Sequence, residues 1–332
     1  MSSILLTGGA GYIGSHTAAL LAENDLNFVV FDNLSNSSKN TIENIEKIFK
    51  KNIKFIKGDI RDTDILIDIM KENDIYSVVH FAAKKSVDES IINPLDYYDV
   101  NVLGTISLLK AMNQVGIKNL LFSSSASIYG EPDYLPIDER HPLKSINPYG
   151  ESKIIVENIL SDLVKSNKEW SIVSLRYFNP IGSHPLGMLG DNPTTSGSKN
   201  LMPIILQVAK GQRKHVKIYG NDYDTYDGTG VRDYIHIMDL ANAHIKALNL
   251  TNKVKGLNVF NLGTGKGYSV LELINSFEKA TKIKVPKIIV DRRLGDVSEC
   301  YADPSKANIQ LDWKTKYDLI DMCLSAWSYA KD

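Results

Sequence analysis

The chain has 332 residues, and 38 Lys+Arg against 39 Asp+Glu give a formal net charge of −1, which excludes the basic footprint of a protein that wraps nucleic acid. A composition of 43% hydrophobic and 23% charged residues excludes a disordered chain. Two cysteines, Cys300 and Cys323, exclude a disulfide framework and a cysteine zinc cluster, and at about 150 residues per domain the length suits two domains.

Met1 to Gly8 shows neither a charged n-region nor a long apolar h-region, so no signal peptide is expected. No apolar run approaches the ~18–20 residues that span a bilayer, so the expectation is a cytoplasmic protein with no membrane partner. Short apolar runs then alternate with helical patterns. Ile4-Leu5-Leu6, Phe28-Val29-Val30-Phe31, Phe55-Ile56, Val78-Val79 and Leu120-Leu121-Phe122 predict buried strands. Ala18, Leu20 and Leu21 mark a first helix. Ile42, Ile45, Ile48 and Phe49 share a face of a second, and Ile65, Ile69 and Met70 lie on a third. This alternation predicts an α/β fold with a doubly wound parallel (Rossmann) sheet and right-handed crossovers.

After Asn179-Pro180 the composition shifts. Gly182 to Ser198 is rich in Gly, Pro, Ser, Thr and Asn and reads as a long irregular loop, a binding segment or lid. A second glycine-rich stretch runs from Gly220 to Gly230. The tail from Asp318 to Tyr329 carries Leu319, Met322, Cys323 and Ala326 at helical spacing. The seven histidines show no metal-ligand spacing, so no metal site is expected.

Two segments carry chemistry. Thr7 to Gly14 follows the first strand and opens the first helix, and both Gly9-x-Gly11-x-x-Gly14 and Gly8-x-x-Gly11-x-x-Gly14 fit the dinucleotide fingerprint. Asp32, eighteen residues past Gly14, ends the second strand, where its carboxylate suits an adenosine ribose hydroxyl and favours NAD over NADP. Asp59, after the third strand, suits an adenine amino group and equally suits a cap for a helix from Asp62.

The other segment begins at Pro148. Tyr149 and Lys153 stand four residues apart on one helical face. Ser123 to Gly130 lies at the end of the fifth strand, where open parallel sheets place ligands. A hydroxyl there, a Tyr/Lys face and a nicotinamide would form a hydride-transfer site. Free tyrosine has a pKa near ~10. A lysine ammonium about 5 Å away, at an effective dielectric of ~20, would lower it by roughly two units, and the positive charge of oxidised nicotinamide would add to that, which makes Tyr149 a general base near neutral pH.

The motifs Thr7-Gly8-Gly9-x-Gly11-Tyr12-Ile13-Gly14, His80-Phe81-Ala82-Ala83, Pro94-Leu95-Asp96-Tyr97-Tyr98 and Ser123 to Gly130 continue through Tyr149-Gly150-x-Ser152-Lys153 and Leu175 to Pro180. Asn200-Leu201-Met202-Pro203, Gly228 to His236, Asn261 to Gly265 and Arg292-Arg293-x-Gly295-Asp296 complete them. From Leu5 to about Trp327 the chain resembles the nucleotide-sugar 4-epimerase branch of the extended short-chain dehydrogenase/reductase family. The resemblance implies interconversion of UDP-glucose and UDP-galactose through a 4-keto sugar, on a tightly bound NAD that is regenerated each cycle. Tyr149 would take the 4-hydroxyl proton, Lys153 would hold the cofactor ribose and lower the Tyr149 pKa, and Ser125 would assist at the C4 oxygen. The glycine loop (Gly8, Gly11, Tyr12, Ile13, Gly14), Asp32, Asn33, Leu34, Ser35, Asn36, Ser37, Asp59, Ile60, Phe81, Ala82, Ala83, Lys85 and Phe178 would line the cofactor. Asn179, Asn200, Leu201, Lys217, Ile218, Tyr219, Arg232, Arg293 and Asp296 would hold the uridine diphosphate. Arg232 and Arg293 can each present a planar fork to a diphosphate.

The sequence departs from that branch at a few positions. Lys84 precedes Lys85 where an apolar residue is common, so either lysine is a cofactor candidate. Val100 stands where some relatives carry a polar contact. Cys300 replaces a tyrosine that crowds the sugar 2-position, which implies room for an N-acetyl group and turnover of UDP-GlcNAc and UDP-GalNAc. A 4,6-dehydratase shares the fold, but Ala126-Ser127 stand where such relatives carry an Asp-Glu pair. Residues 1–180 with about 231–263 are expected to form the NAD domain, 181–230 with 264–332 the UDP-sugar lobe, with the ligands between them. The resemblance also implies a homodimer.

Overall fold

The computed structural model describes residues 2–191, 200–293 and 295–331, and the apolar runs form one seven-stranded sheet in it. Its strands are β1 (Ser3–Thr7), β2 (Phe28–Asp32), β3 (Lys54–Lys57), β4 (Ile75–His80), β5 (Asn119–Ser123), β6 (Ser171–Tyr177) and the last strand Gly256–Leu262. They lie in the order Gly256–Leu262, β6, β5, β4, β1, β2, β3, and β1 to β6 pair in parallel. Strand order therefore reverses at β1, and ligands of such sheets gather at the carboxyl ends beside that point. β3 closes one edge with Lys54 and Lys57 exposed, a charge pattern that discourages further strand pairing.

Parallel strands need crossovers. Here they run through α1 (Tyr12–Glu23), α2 (Lys39–Phe49), α3 (Thr63–Glu72), α4 (Val87–Ile92), α5 (Pro94–Tyr97), a π-helical turn (Tyr98–Leu103), α6 (Gly104–Val115) and α7 (Pro148–Ser166). Local chemistry starts them. Ser38 caps α2, and Asp62 caps α3 by accepting from the Ile65 N–H at 3.1 Å. Asp59 is therefore not the cap. One expected core position also changes. Ile65 is 39% exposed, and α3 buries Leu66, Ile67, Ile69 and Met70 instead. Ile65 lies in the first turn, at the rim of the stripe that Leu66, Ile69 and Met70 make at i, i+3, i+4. These side chains join Leu5, Val78, Leu108, Leu120 and Trp170 in one core, where each fully buried Leu or Ile contributes about 1.5–3 kcal/mol.

Two compact units are present. The first contains 1–128, 145–176 and 241–260; the second contains 129–144, 177–240 and 261–332. The second is α/β as well. Its small sheets pair Asn179–Ile181 with Tyr234–His236, Val216–Tyr219 with Lys287–Val290, and Val231–Arg232 with both Tyr268–Ser269 and Glu299–Cys300. Helices Leu201–Ala209, Val270–Thr281 and Leu319–Ala330 bury Met202, Ile205, Phe277, Met322 and Cys323 against Ile218 and Tyr234. The last two helices begin with capping boxes, Ser269 with Glu272 and Asp318 with Asp321. The expected long loop after Asn179-Pro180 is turn and bend over 182–191, pinned by a bridge between Ser183 and Gly190; 192–199 lie outside the described residues.

Candidate active site

The glycine loop joins β1 to α1. Gly8 has φ +72°, and a side chain there would overlap the backbone of Ala82, whose N–H and that of Phe81 both donate to the Thr7 carbonyl. A side chain at Gly14 would overlap the Gly8 carbonyl, so helix and loop meet at van der Waals distance. Gly11 caps α1 through its backbone alone, and the first turn holds no acidic residue. No carboxylate of the first turn itself therefore competes for its N–H groups and positive dipole end, the arrangement that suits a pyrophosphate.

Asp32, at the end of β2, is 7% exposed and already organises the loop after it. One carboxylate oxygen accepts from the Leu34 N–H (2.8 Å) and the Ser37 hydroxyl (2.9 Å), the other from the Ala10 N–H (3.1 Å). A carboxylate has about four lone-pair sites, so one remains for a ribose hydroxyl. Leu34 holds φ +60° under this pinning, strain kept beside a candidate ligand position. Asn33 binds the Ser35 N–H through its oxygen and Asp59 through its amide. Asp59 also accepts two bonds from the Arg61 guanidinium, which holds its carboxyl far below the usual range. The residues present therefore fit NAD.

The loop after β4 settles which lysine is committed elsewhere. The Lys84 ammonium pairs with Glu89 (3.0 Å) and Asp96 (3.1 Å). Lys85, the other cofactor candidate, follows it in the same loop. Phe81 packs on His244, ring centroids 5.0 Å apart.

Ser125, Tyr149 and Lys153 come together beyond the end of β5, 8%, 8% and 4% exposed. Asn147 caps α7 through the Gly150 N–H (2.9 Å), with Pro148 in the first turn. Gly150 permits the approach, since a side chain there would meet the Ser127 carbonyl at 2.5 Å. Tyr149 lies beside Ser125, whose hydroxyl favours its ionised form. One turn on, the Lys153 ammonium donates to the Ser123 carbonyl (2.8 Å) and lies 6.0 Å from the Tyr149 ring centroid.

The chain's own groups alone do not acidify Tyr149. Burial pushes its pKa up, opposed by the Ser125 hydrogen bond. Burial likewise pushes the Lys153 ammonium down to about 7, while the charge of Glu157 works against that fall. Desolvation of the phenolate is the larger effect on Tyr149 here.

In the second unit Arg232, Arg293 and Asp296 converge. The Asp296 carboxylate is 3.8 Å from both guanidinium groups, and Arg293 stacks over the Tyr219 ring at 4.7 Å. Lys217, Ile218 and Tyr219 follow strand alternation. Lys217 is exposed, but the Ile218 side chain is buried in the second core, so only its backbone is available to a ligand. Asn179 and Asn200 are exposed, Leu201 packs partly on the same core, and Phe178 is 5% exposed. Cys300 lies opposite Arg232 in register and is 8% exposed; burial pushes its thiol up to about 11, so it is neutral.

Several residues organise the site without a role having been assigned to them from the sequence, and one of them, Asn101, lies outside every motif. Asn101, in the π-helical turn, accepts from the Lys84 N–H (2.8 Å) and donates to the Lys84 carbonyl and to Ser152 (3.0 Å). Ser152 in turn donates to the Tyr149 carbonyl. Asp233 is fully buried and accepts from the Thr264, Gly265 and Ala302 N–H groups. Neutral His80 links Thr7 (2.7 Å) to Thr105 (2.9 Å); burial and then Lys153 push its pKa down to about 3. A π-turn inside a helical stretch is the one sequence-independent signal that would have pointed to Asn101.

A reversed parallel sheet with this glycine turn and a Ser/Tyr/Lys cluster defines a dinucleotide-binding protein of the short-chain dehydrogenase/reductase type. A family model described as GDP-mannose 4,6 dehydratase matches residues 5–325, and the chain belongs to that family. It is 47% identical to the UDP-glucose 4-epimerase of Bacillus subtilis (strain 168), over 98% of this chain and 96% of that one. A UDP-glucose-4-epimerase from Stenotrophomonas maltophila, solved with bound NAD and formylated UDP-arabinopyranose, superposes with a TM-score of 0.96 at 45% identity, covering 99% and 98% of the two chains. The UDP-glucose 4-epimerase of Bifidobacterium longum, solved with NAD+ and UDP, gives 0.95 at 44%, again covering 99% and 98%.

Proposed function

We propose that this protein is a NAD-dependent UDP-hexose 4-epimerase, a cytoplasmic homodimer that interconverts UDP-glucose and UDP-galactose. The observation that carries the reading is the buried meeting of Ser125, Tyr149 and Lys153 at the carboxyl end of β5. NAD, when bound, supplies the hydride acceptor and donor. Tyr149 takes the proton of the sugar 4-hydroxyl and returns it, and Ser125 hydrogen-bonds the same oxygen. Lys153 holds the ribose hydroxyls and, while charged, favours the phenolate. The glycine loop and Asp32, with Asn33 to Ser37, Asp59, Ile60, Phe81 to Ala83, Lys85 and Phe178, hold the cofactor. Arg232, Arg293, Asp296, Asn179, Asn200, Leu201 and the Lys217–Tyr219 strand hold the nucleotide. The exposed Ile91, Ile92, Leu95 and Leu103 suit the dimer face; sedimentation at one chain mass would overturn that part.

The matching family model is described by a dehydratase, but eliminating water across C5 and C6 needs an acid and a base. Here Ala126 and Ser127 follow Ser125, and an alanine transfers no proton. The test is product analysis on four UDP-sugars with no added NAD. Glucose and galactose forms should interconvert, and a 4-keto-6-deoxy product would sink the reading. The small neutral Cys300 leaves room at the sugar 2-position, so UDP-GlcNAc and UDP-GalNAc should also turn over. Cys300→Tyr should abolish the N-acetylated reaction and spare the other; unchanged N-acetyl turnover would remove Cys300 from specificity.

A further inference from the structure

Tyr223 sits in the turn between Val216–Tyr219 and Val231–Arg232 and is 7% exposed. Its N–H donates to the Gly228 carbonyl (3.0 Å), and its carbonyl accepts from the Thr225 N–H (2.8 Å), so its backbone is tied at both ends. The Arg292 guanidinium lies 4.2 Å over its ring and is itself held by the Asp222 carboxylate (2.8 Å). The ring is thus fixed in position. Its hydroxyl, however, is buried with no hydrogen-bond partner among the described residues. Burying a hydroxyl unpaired is costly, and a phenylalanine would fill the same ring site without that cost.

The charges bearing on this hydroxyl are those of Asp296, Arg292, Arg232 and Asp222. Two of these belong to the cluster already assigned to the nucleotide. Asp296 stands 3.8 Å from both Arg232 and Arg293, too far for a hydrogen bond to either. An unsatisfied, immobilised donor therefore lies beside the Arg232 and Asp296 groups of that cluster. Resting on the epimerase reading, we infer that the Tyr223 hydroxyl is a further nucleotide-binding group, donating a hydrogen bond to a diphosphate oxygen of the UDP moiety.

Calorimetry with UDP on wild type and Tyr223→Phe tests this, together with the melting temperature of each without nucleotide and the steady-state rates. The variant should bind UDP about tenfold more weakly, raise KM similarly, keep kcat, and melt no lower than wild type. Equal UDP affinity in the two proteins would overturn the inference. So would a parallel loss of affinity and of ligand-free melting temperature, which would make the hydroxyl a structural group. If wild type itself binds no UDP, the epimerase reading fails, a result distinct from either of these.

Discussion

Tyr149→Phe should lower kcat by about three orders of magnitude, within the 10²–10⁴ that positioned acid–base groups contribute. The substitution removes only the phenolic oxygen. The ring keeps its edge contact with Tyr97 at 6.4 Å, and the α7 cap at Asn147 and the close approach at Gly150 are untouched. NAD content and melting temperature should therefore match wild type while turnover collapses. If Tyr149→Phe epimerises at the wild-type rate, the assigned base is wrong. Burial holds the phenol above its usual pKa in this structure, with the neighbouring Ser125 hydroxyl working against that rise. Activity should therefore depend on bringing a second positive charge, the oxidised nicotinamide, beside it.

The second large effect concerns stability. Glu157, one turn beyond Lys153 on α7, accepts from Ser174 (2.8 Å) and from the Arg176 guanidinium at 3.1 and 2.6 Å, with both charged side chains nearly fully buried. Glu157→Gln leaves the Arg176 charge buried without its counter-ion and should cost about 3–5 kcal/mol. At roughly 2 °C per kcal/mol for a chain of this size, melting should fall by about 6–10 °C. Replacing the pair by Glu157→Leu and Arg176→Met should recover most of the loss, because the damage lies in the lone charge; a double variant as unstable as the single one would contradict that account. The same substitution acts on catalysis. Glu157 holds the Lys153 pKa up against burial. Without it the lysine deprotonates at lower pH, and because only the ammonium favours the phenolate, the alkaline decline of kcat should move toward acid.

Features set by neighbours in sequence were legible in the chain. The glycine loop could be read because its demands, a positive φ at Gly8 and close approach at Gly14, are met by one residue type at fixed spacing. The strands were legible because a sheet covered on both faces needs continuous apolar runs. Tyr149 and Lys153 share a face through helix geometry alone. What escaped the sequence joins distant segments. Asn101 meets Ser152, Glu157 meets Arg176, and Asp233 meets Ala302, none within a local pattern. Asp59 shows the same limit, since capping and ligand contact ask for the same side chain, and only the fold gave the cap to Asp62. The Tyr149 pKa could not be obtained by adding charges, because burial has no sequence signature.

Asp233 has a consequence for substitutions around Cys300. One carboxylate, pushed up to about 6 by burial, fastens the amides of 264, 265 and 302, and the N–H of Asp233 itself donates to the Cys300 carbonyl. Position 300 is thus mounted on the same bracket as Arg232, its neighbour across the strand pair. Under the proposed reading, a new side chain at position 300 would change the bulk presented there and leave its mounting intact, as a jeweller changes the stone and leaves the setting.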